Sequence, residues 1–177
     1  MGCLMPSWVP FLLGGVTLMG DLPQWRMVVS FTIPGEPVAL GRPRVTKRSH
    51  VYTDGKSRAW MEKVGYLASM AAHKVEGLPL GPKTPVLLEM ETVHKRPANL
   101  FRFCDMGGRA PKTSKPDLSN LIKGVEDGIT LAGCIWPDDD QVTDLRAHKR
   151  WAHIMDKHEK LTEEPHTVVR VYADGRS

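Results

Sequence analysis

The sequence predicts an α+β fold: a small mixed β-sheet packed with two main helices. Three observations predict it. Apolar and polar residues alternate around 27–33, 85–93 and 166–173, which is the period of a strand, and Val142–Arg150 after the acidic run reads as a further one. Two segments between them carry apolar residues at steps of three and four, the period of a helix. The resulting order, strand, helix, strand, helix, strand, strand, closes into one layered domain.

The elements follow in turn. Val29, Phe31 and Ile33 alternate with Val28, Ser30 and Thr32, and Pro34-Gly35 stops this first strand. The Gly-, Pro- and cation-rich run GEPVALGRPRVTKRSHVYTDG reads as loop or irregular extended chain. A helix is expected from Lys56 to about Glu76, with Trp60, Val64, Leu67, Ala71 and Val75 as its apolar stripe. Asp54 or Ser57 can cap its start, and Gly77 followed by Pro79 ends it. In the second strand, Val86, Leu88 and Met90 lie on one face and Glu89 and Glu91 on the other. Residues 95–115 form a long basic loop, in which Phe101 and Phe103 flank Arg102 in a pattern that suits either base stacking or local core. Asp117 is placed to cap a second helix, whose buried stripe is Leu118, Ile122, Val125 and Ile129 and whose end is Gly133. Strands at Val142–Arg150 and His166–Ala173 complete the pattern.

At 177 residues one domain is expected, and a 41% hydrophobic, 25% charged composition excludes a disordered or collagen-like chain. Residues 1–26 read as an N-terminal extension outside the core, and residues 27–177 as the folded domain. The first twenty residues carry no charge, lack the positive start of a signal peptide, and are broken by Pro6, Pro10, Gly14 and Gly15, so no membrane anchor is expected. Cys3, Cys104 and Cys134 are odd in number and widely spaced, which points to a reducing, cytoplasmic setting without structural disulfides. No Walker loop, GxGxxG or GxSxG occurs, and the seven histidines show no chelating pair.

Charge is segregated rather than merely abundant. Asp117, Glu126, Asp127, Asp138, Asp139, Asp140 and Asp144 fall in one stretch whose only cation before Asp144 is Lys123. Arg42, Arg44, Lys47, Lys95, Arg96 and Lys115 lie on the flanking basic segments, and GRPRV would hold two arginines on a restrained loop. Taken singly, Asp117 is an ordinary helix cap and Asp138-Asp139-Asp140 an ordinary solvated turn. Together they suit a hard divalent cation, which neutralises crowded carboxylates, inside basic loops that grip a phosphodiester backbone.

KPDLSNLIKGVEDGI followed by WPDDDQV resembles the signature of RusA-type Holliday junction resolvases, K-P-D-x-D-N-x-x-K-x-x-x-D then D-D-x-Q. IPGEPVALGRPRV is similar to that family's Gly-x-Pro-x-x-x-Gly-Arg-Pro-Arg opening. The resemblance implies a homodimeric RusA-like endonuclease of a phage or prophage. It would act in the host cytoplasm and nick four-way DNA junctions with Mg²⁺, or Mn²⁺ as substitute. By position, Asp117, Lys123 and Asp139 match the catalytic residues, and Asp127 matches the further helix acid. Asp117 and Asp139 would hold the metal, and Arg42, Arg44, Lys47, Lys95, Arg96 and Lys115 the DNA. Ser119 stands where the family's second aspartate is expected, and a hydroxyl supplies no negative charge. Glu126 shares a helix face with Ser119, Lys123 and Thr130 and is one candidate replacement; Asp138 is the other. Two other readings remain: a junction-binding protein that has lost cleavage through Ser119, and an unrelated DNA-binding module whose acidic stretch is a protein interface.

Overall fold

The computed structural model describes residues 23–41, 44–45, 51–52, 54–102, 110–156 and 161–175. In chain order these form β1 (Trp25–Pro34), β2 (Arg44–Val45), β3 (Val51–Tyr52), α1 (Gly55–Ala72), β4 (Val86–His94), α2 (Leu118–Ala132), β5 (Val142–Trp151), β6 (Ile154–Asp156), β7 (Leu161–Thr162) and β8 (His166–Asp174). A four-stranded mixed sheet has the order β1-β8-β4-β5, antiparallel except for the parallel β4/β5 pair. The strand begins at Trp25, and Gly175 N–H donates to the Gln24 carbonyl at 2.9 Å, so residues just before 27 also join the sheet.

One face of the sheet carries the core. Val29, Phe31 and Ile33 of β1, Val86, Leu88 and Met90 of β4, and Val169 and Val171 of β8 are buried with Trp60, Val64 and Ala68 of α1 and Leu121, Val125 and Ile129 of α2. These are the inward positions of the alternating runs, as expected. β4, between β8 and β5, differs from a half-buried strand in being buried along nearly its whole length. Glu91 is only 6% exposed. Its carboxylate accepts from Arg150 of β5, while Glu89 accepts from Arg170 of β8 at 2.6 Å. Neutralised in this way, two acids are tolerated on a covered strand.

Arg150 also grips Glu163 through both terminal nitrogens, at 2.5 and 2.9 Å. This hydrogen bonding holds the Glu163 carboxyl down at about 2, while the same partners raise the Arg150 guanidinium further.

α1 ends at Ala72, short of the expected Glu76, with His73 as its C-cap. Asp54 is the N-cap, accepting from the backbone of Lys56 and Ser57. The buried face of α1 is Ser57, Trp60, Val64, Gly65, Ala68 and Ala72, rotated from the predicted apolar stripe towards small residues. The helix crossing explains the rotation. A Cβ on Gly65 would sit 2.9 Å from the Gly128 carbonyl oxygen, and one on Gly128 would sit 2.8 Å from Val64 Cβ. The backbones touch where side chains would separate them. Gly133 caps α2 in the left-handed region at φ 60°, as expected. The β2/β3 and β6/β7 hairpins were not anticipated, since strands of two or three residues are too short to show alternation. Among the described residues no helix is long and apolar enough to cross a membrane.

Two predictions follow from this packing. Gly128→Ala should destabilise the fold by roughly 1–3 kcal/mol, the usual cost of overpacking, measured by urea unfolding. Glu163 has a depressed folded-state value, so its contribution is complete above the ordinary 4.5 and fades as pH falls towards about 2. Glu163→Gln should therefore cost roughly 2 kcal/mol at neutral pH, allowing for partial exposure, and flatten stability across that acid window.

Candidate active site

The site begins at the start of α2. Asp117 occupies the N-cap, as expected, but its side chain makes no capping hydrogen bond and is exposed. Ser119 is exposed in the first turn. One turn further, Lys123 Nζ stands 3.3 Å from Asp127 Oδ1 and 4.0 Å from Asp139 Oδ2. The charge of Asp127, then its hydrogen bond, raises the Lys123 ammonium above its ordinary value, with Asp139 and Glu126 adding to the effect. Lys123 therefore stays cationic.

The acidic turn reaches α2 because of what precedes it. Trp136 is fully buried, and its Nε1–H donates to Thr130 Oγ1 at 2.8 Å. From that anchor the chain runs back along α2, so that Asp139 arrives beside Lys123 and Glu126. Glu126 is half-buried, and its carboxyl is pushed up, first by burial and then by the negative charge of Asp139. The helix face shared by Ser119, Lys123, Glu126 and Thr130 is thus partly covered by this turn.

The three consecutive aspartates have separate roles. Asp138 caps the 3-10 turn Asp139–Gln141, accepting from the Asp140 backbone at 3.2 Å. Asp138 and Asp140 line an open groove with Pro82, Lys83, Thr84 and Pro85. Of the three, it is Asp139 that faces Lys123. Gln141 is buried, and its Nε2 donates to the Gly81 and Thr84 carbonyls at 3.0 and 3.1 Å, which secures the turn from its far end.

The structure thus brings Lys123, Asp127, Asp139 and Glu126 together and leaves Asp117 and Asp138 out of that contact set. Among the described residues, no group of three or more His, Cys, Asp or Glu side chains is gathered closely enough to hold a metal ion. The donors nevertheless fit a hard divalent cation. All are carboxylate oxygens, and the upward push on Glu126 by Asp139 is a local excess of negative charge that a cation relieves.

Of the residues expected on DNA, Lys95 and Lys115 are exposed. Arg96 is only 5% exposed, so burial removes it from the surface cations. Arg44 lies on β2; its side chain, together with Arg42, Lys47, Phe103 and the side chain of Phe101, lies outside the described residues. Sequence reasoning missed Glu36. Its carboxylate accepts from His94 Nδ1 at 2.7 Å and from the Lys95 backbone at 2.8 Å, tying the PGEP turn to the end of β4. Burial lowers His94, so the imidazole donates to Glu36 in its neutral form. Only the matching Gly-Pro-rich motif could have signalled a role for that segment.

The fold is a small α+β domain of one mixed sheet and two helices, with a carboxylate–lysine cluster beside α2. A family model described as Endodeoxyribonuclease RusA matches residues 34–172, and the chain belongs to that family. A relative from Bacillus subtilis (strain 168), the uncharacterized protein YqaN, is 33% identical over 129 residues, covering 68% of this chain and 86% of the relative.

The crowding of acids is directly testable. In a carboxyl NMR titration Glu126 should titrate above its ordinary 4.5, and Asp139→Asn should lower it part of the way, burial keeping the rest of the shift. An unmoved Glu126 would mean the two carboxylates do not face one another in solution.

Proposed function

We propose that this protein is a Mg²⁺-dependent endonuclease that nicks four-way DNA junctions during recombination or repair. The observation that carries the reading is the approach of Asp139 to Lys123, which joins the family's two separated motifs at one point of α2. Asp117 and Asp139, supplemented by Glu126 or Asp138, would hold the cation. When bound there, Mg²⁺ supplies charge neutralisation and activates water for attack on phosphorus. Lys123, kept protonated by its acidic neighbours, offsets the negative charge that develops on the scissile phosphate. Arg42, Arg44, Lys47, Lys95 and Lys115 would position the arms through backbone phosphates. Two symmetric nicks call for two copies of the site, and hence a homodimer.

Ser119 favours a second reading, junction binding with little or no cleavage, because α2 lacks a carboxylate in its first turn. One experiment separates the two: incubation of a labelled four-way junction with and without Mg²⁺. Under the first reading Mg²⁺ produces symmetric nicks; under the second the protein binds and does not cut. Asp139→Asn should retain the fold and bind junctions at least as tightly, since a negative charge facing phosphate is gone. It should abolish Mg²⁺-dependent nicking, because an amide is a poor ligand for a hard cation. Ser119→Asp should raise the rate.

A further inference from the structure

Immediately before Asp117 the chain is held in an unusual way. Lys112 is only 6% exposed, a costly place for an ammonium unless it is fully partnered. Its Nζ donates to Ser114 Oγ at 2.7 Å, to the Ser114 carbonyl at 3.4 Å and to the Lys115 carbonyl. The same group lies 4.2 Å from the centre of the Trp151 ring, a cation–π contact. From β5, Lys149 Nζ donates to the Ser114 and Pro116 carbonyls at 2.7 and 2.5 Å. Three consecutive carbonyls, those of Ser114, Lys115 and Pro116, therefore all accept from lysine ammonium groups.

The two lysines are themselves fixed. Lys112 N–H donates to the Lys149 carbonyl at 3.1 Å, and Trp151 N–H donates to the Ala110 carbonyl at 2.9 Å. Residues 110–112 thus run along the outer edge of β5, with Pro111 bridged to Arg150. The clamp is continuous from the sheet to the peptide that precedes Asp117.

We propose that Lys112 and Lys149 are positioning residues that aim Asp117 at its metal by fixing the three carbonyls ahead of it. Asp117 needs such support, because its own side chain makes no capping bond to α2 that would set its direction. This assignment rests on the reading of Asp117 as a metal ligand given above.

The test uses the full chain and Mn²⁺ as the probe, with bound Mn²⁺ read by electron paramagnetic resonance in the absence of DNA. Lys112→Met should weaken Mn²⁺ binding about tenfold or more, the usual scale for losing a partner that orients a ligand. In an Asp117→Asn background the same change should have no further effect, because there is no carboxylate left to aim. Lys149→Met, at a more exposed position, should behave alike, and it decides the matter if Lys112→Met does not fold. An equal loss in both backgrounds would show a merely structural role and overturn the proposal. A drop for Asp117→Asn with none for either lysine variant would remove the clamp alone. Unchanged Mn²⁺ binding in Asp117→Asn would instead remove the metal assignment, and the clamp with it.

Discussion

The parallel pairing of β4 with β5 is the constraint on which the site depends. Parallel neighbours cannot be joined by a tight turn; the chain must cross over, and here α2 makes the crossing. The crossing sets α2 with its start near the end of β4 and its finish near the start of β5. The acidic turn is the short return from helix to strand. Because Trp136 fastens that return to Thr130, the turn doubles back along the helix. Two motifs separated by a whole helix in sequence thereby meet beside Lys123.

The same pairing sets the demands on the opposite face of the sheet. On that face Glu89 pairs with Arg170 of β8 and Glu91 with Arg150 of β5, so both glutamates of the central strand are held by its neighbours. Arg150 then extends the network to Glu163, beyond the β6/β7 hairpin that follows β5. The charges on this face are thus structural, whereas those beside α2 are crowded and only partly neutralised. A strong pairing and an unrelieved excess of like charge lie on two sides of one small sheet.

Much of this was legible in the sequence. Alternation located three of the four long strands, and helical periodicity located both helices, because each buries one face against a single core. The meeting of Asp139 with Lys123 and Glu126 was legible from motif spacing and helix geometry, whereas Asp117 lies outside that contact set. The rest was not. The end of α1 and its true buried face depend on Gly65 meeting Gly128 across space, which no local period encodes. Lys112 and Lys149 looked like two more surface cations, because nothing in a run of residues says that two lysines will share three consecutive carbonyls. The burial of Arg96, expected on the basic surface, was likewise not written in its neighbours along the chain. Glu36 and Gln141 act by reaching loops far away in sequence, so their partners appear only in the folded chain.

The contact between Gly65 and Gly128 ties two helices to one shared volume. A methyl added at either position would meet the other helix's backbone or its valine, and no side-chain rotation can clear a backbone atom. Such positions cannot drift independently. A larger residue on α1 would have to await a shift of α2, and any shift of α2 would carry Lys123 and the anchored acidic turn with it. The glycine pair therefore restricts the routes by which this chain can change sequence, since a mutation far from any carboxylate would be judged by its effect on them.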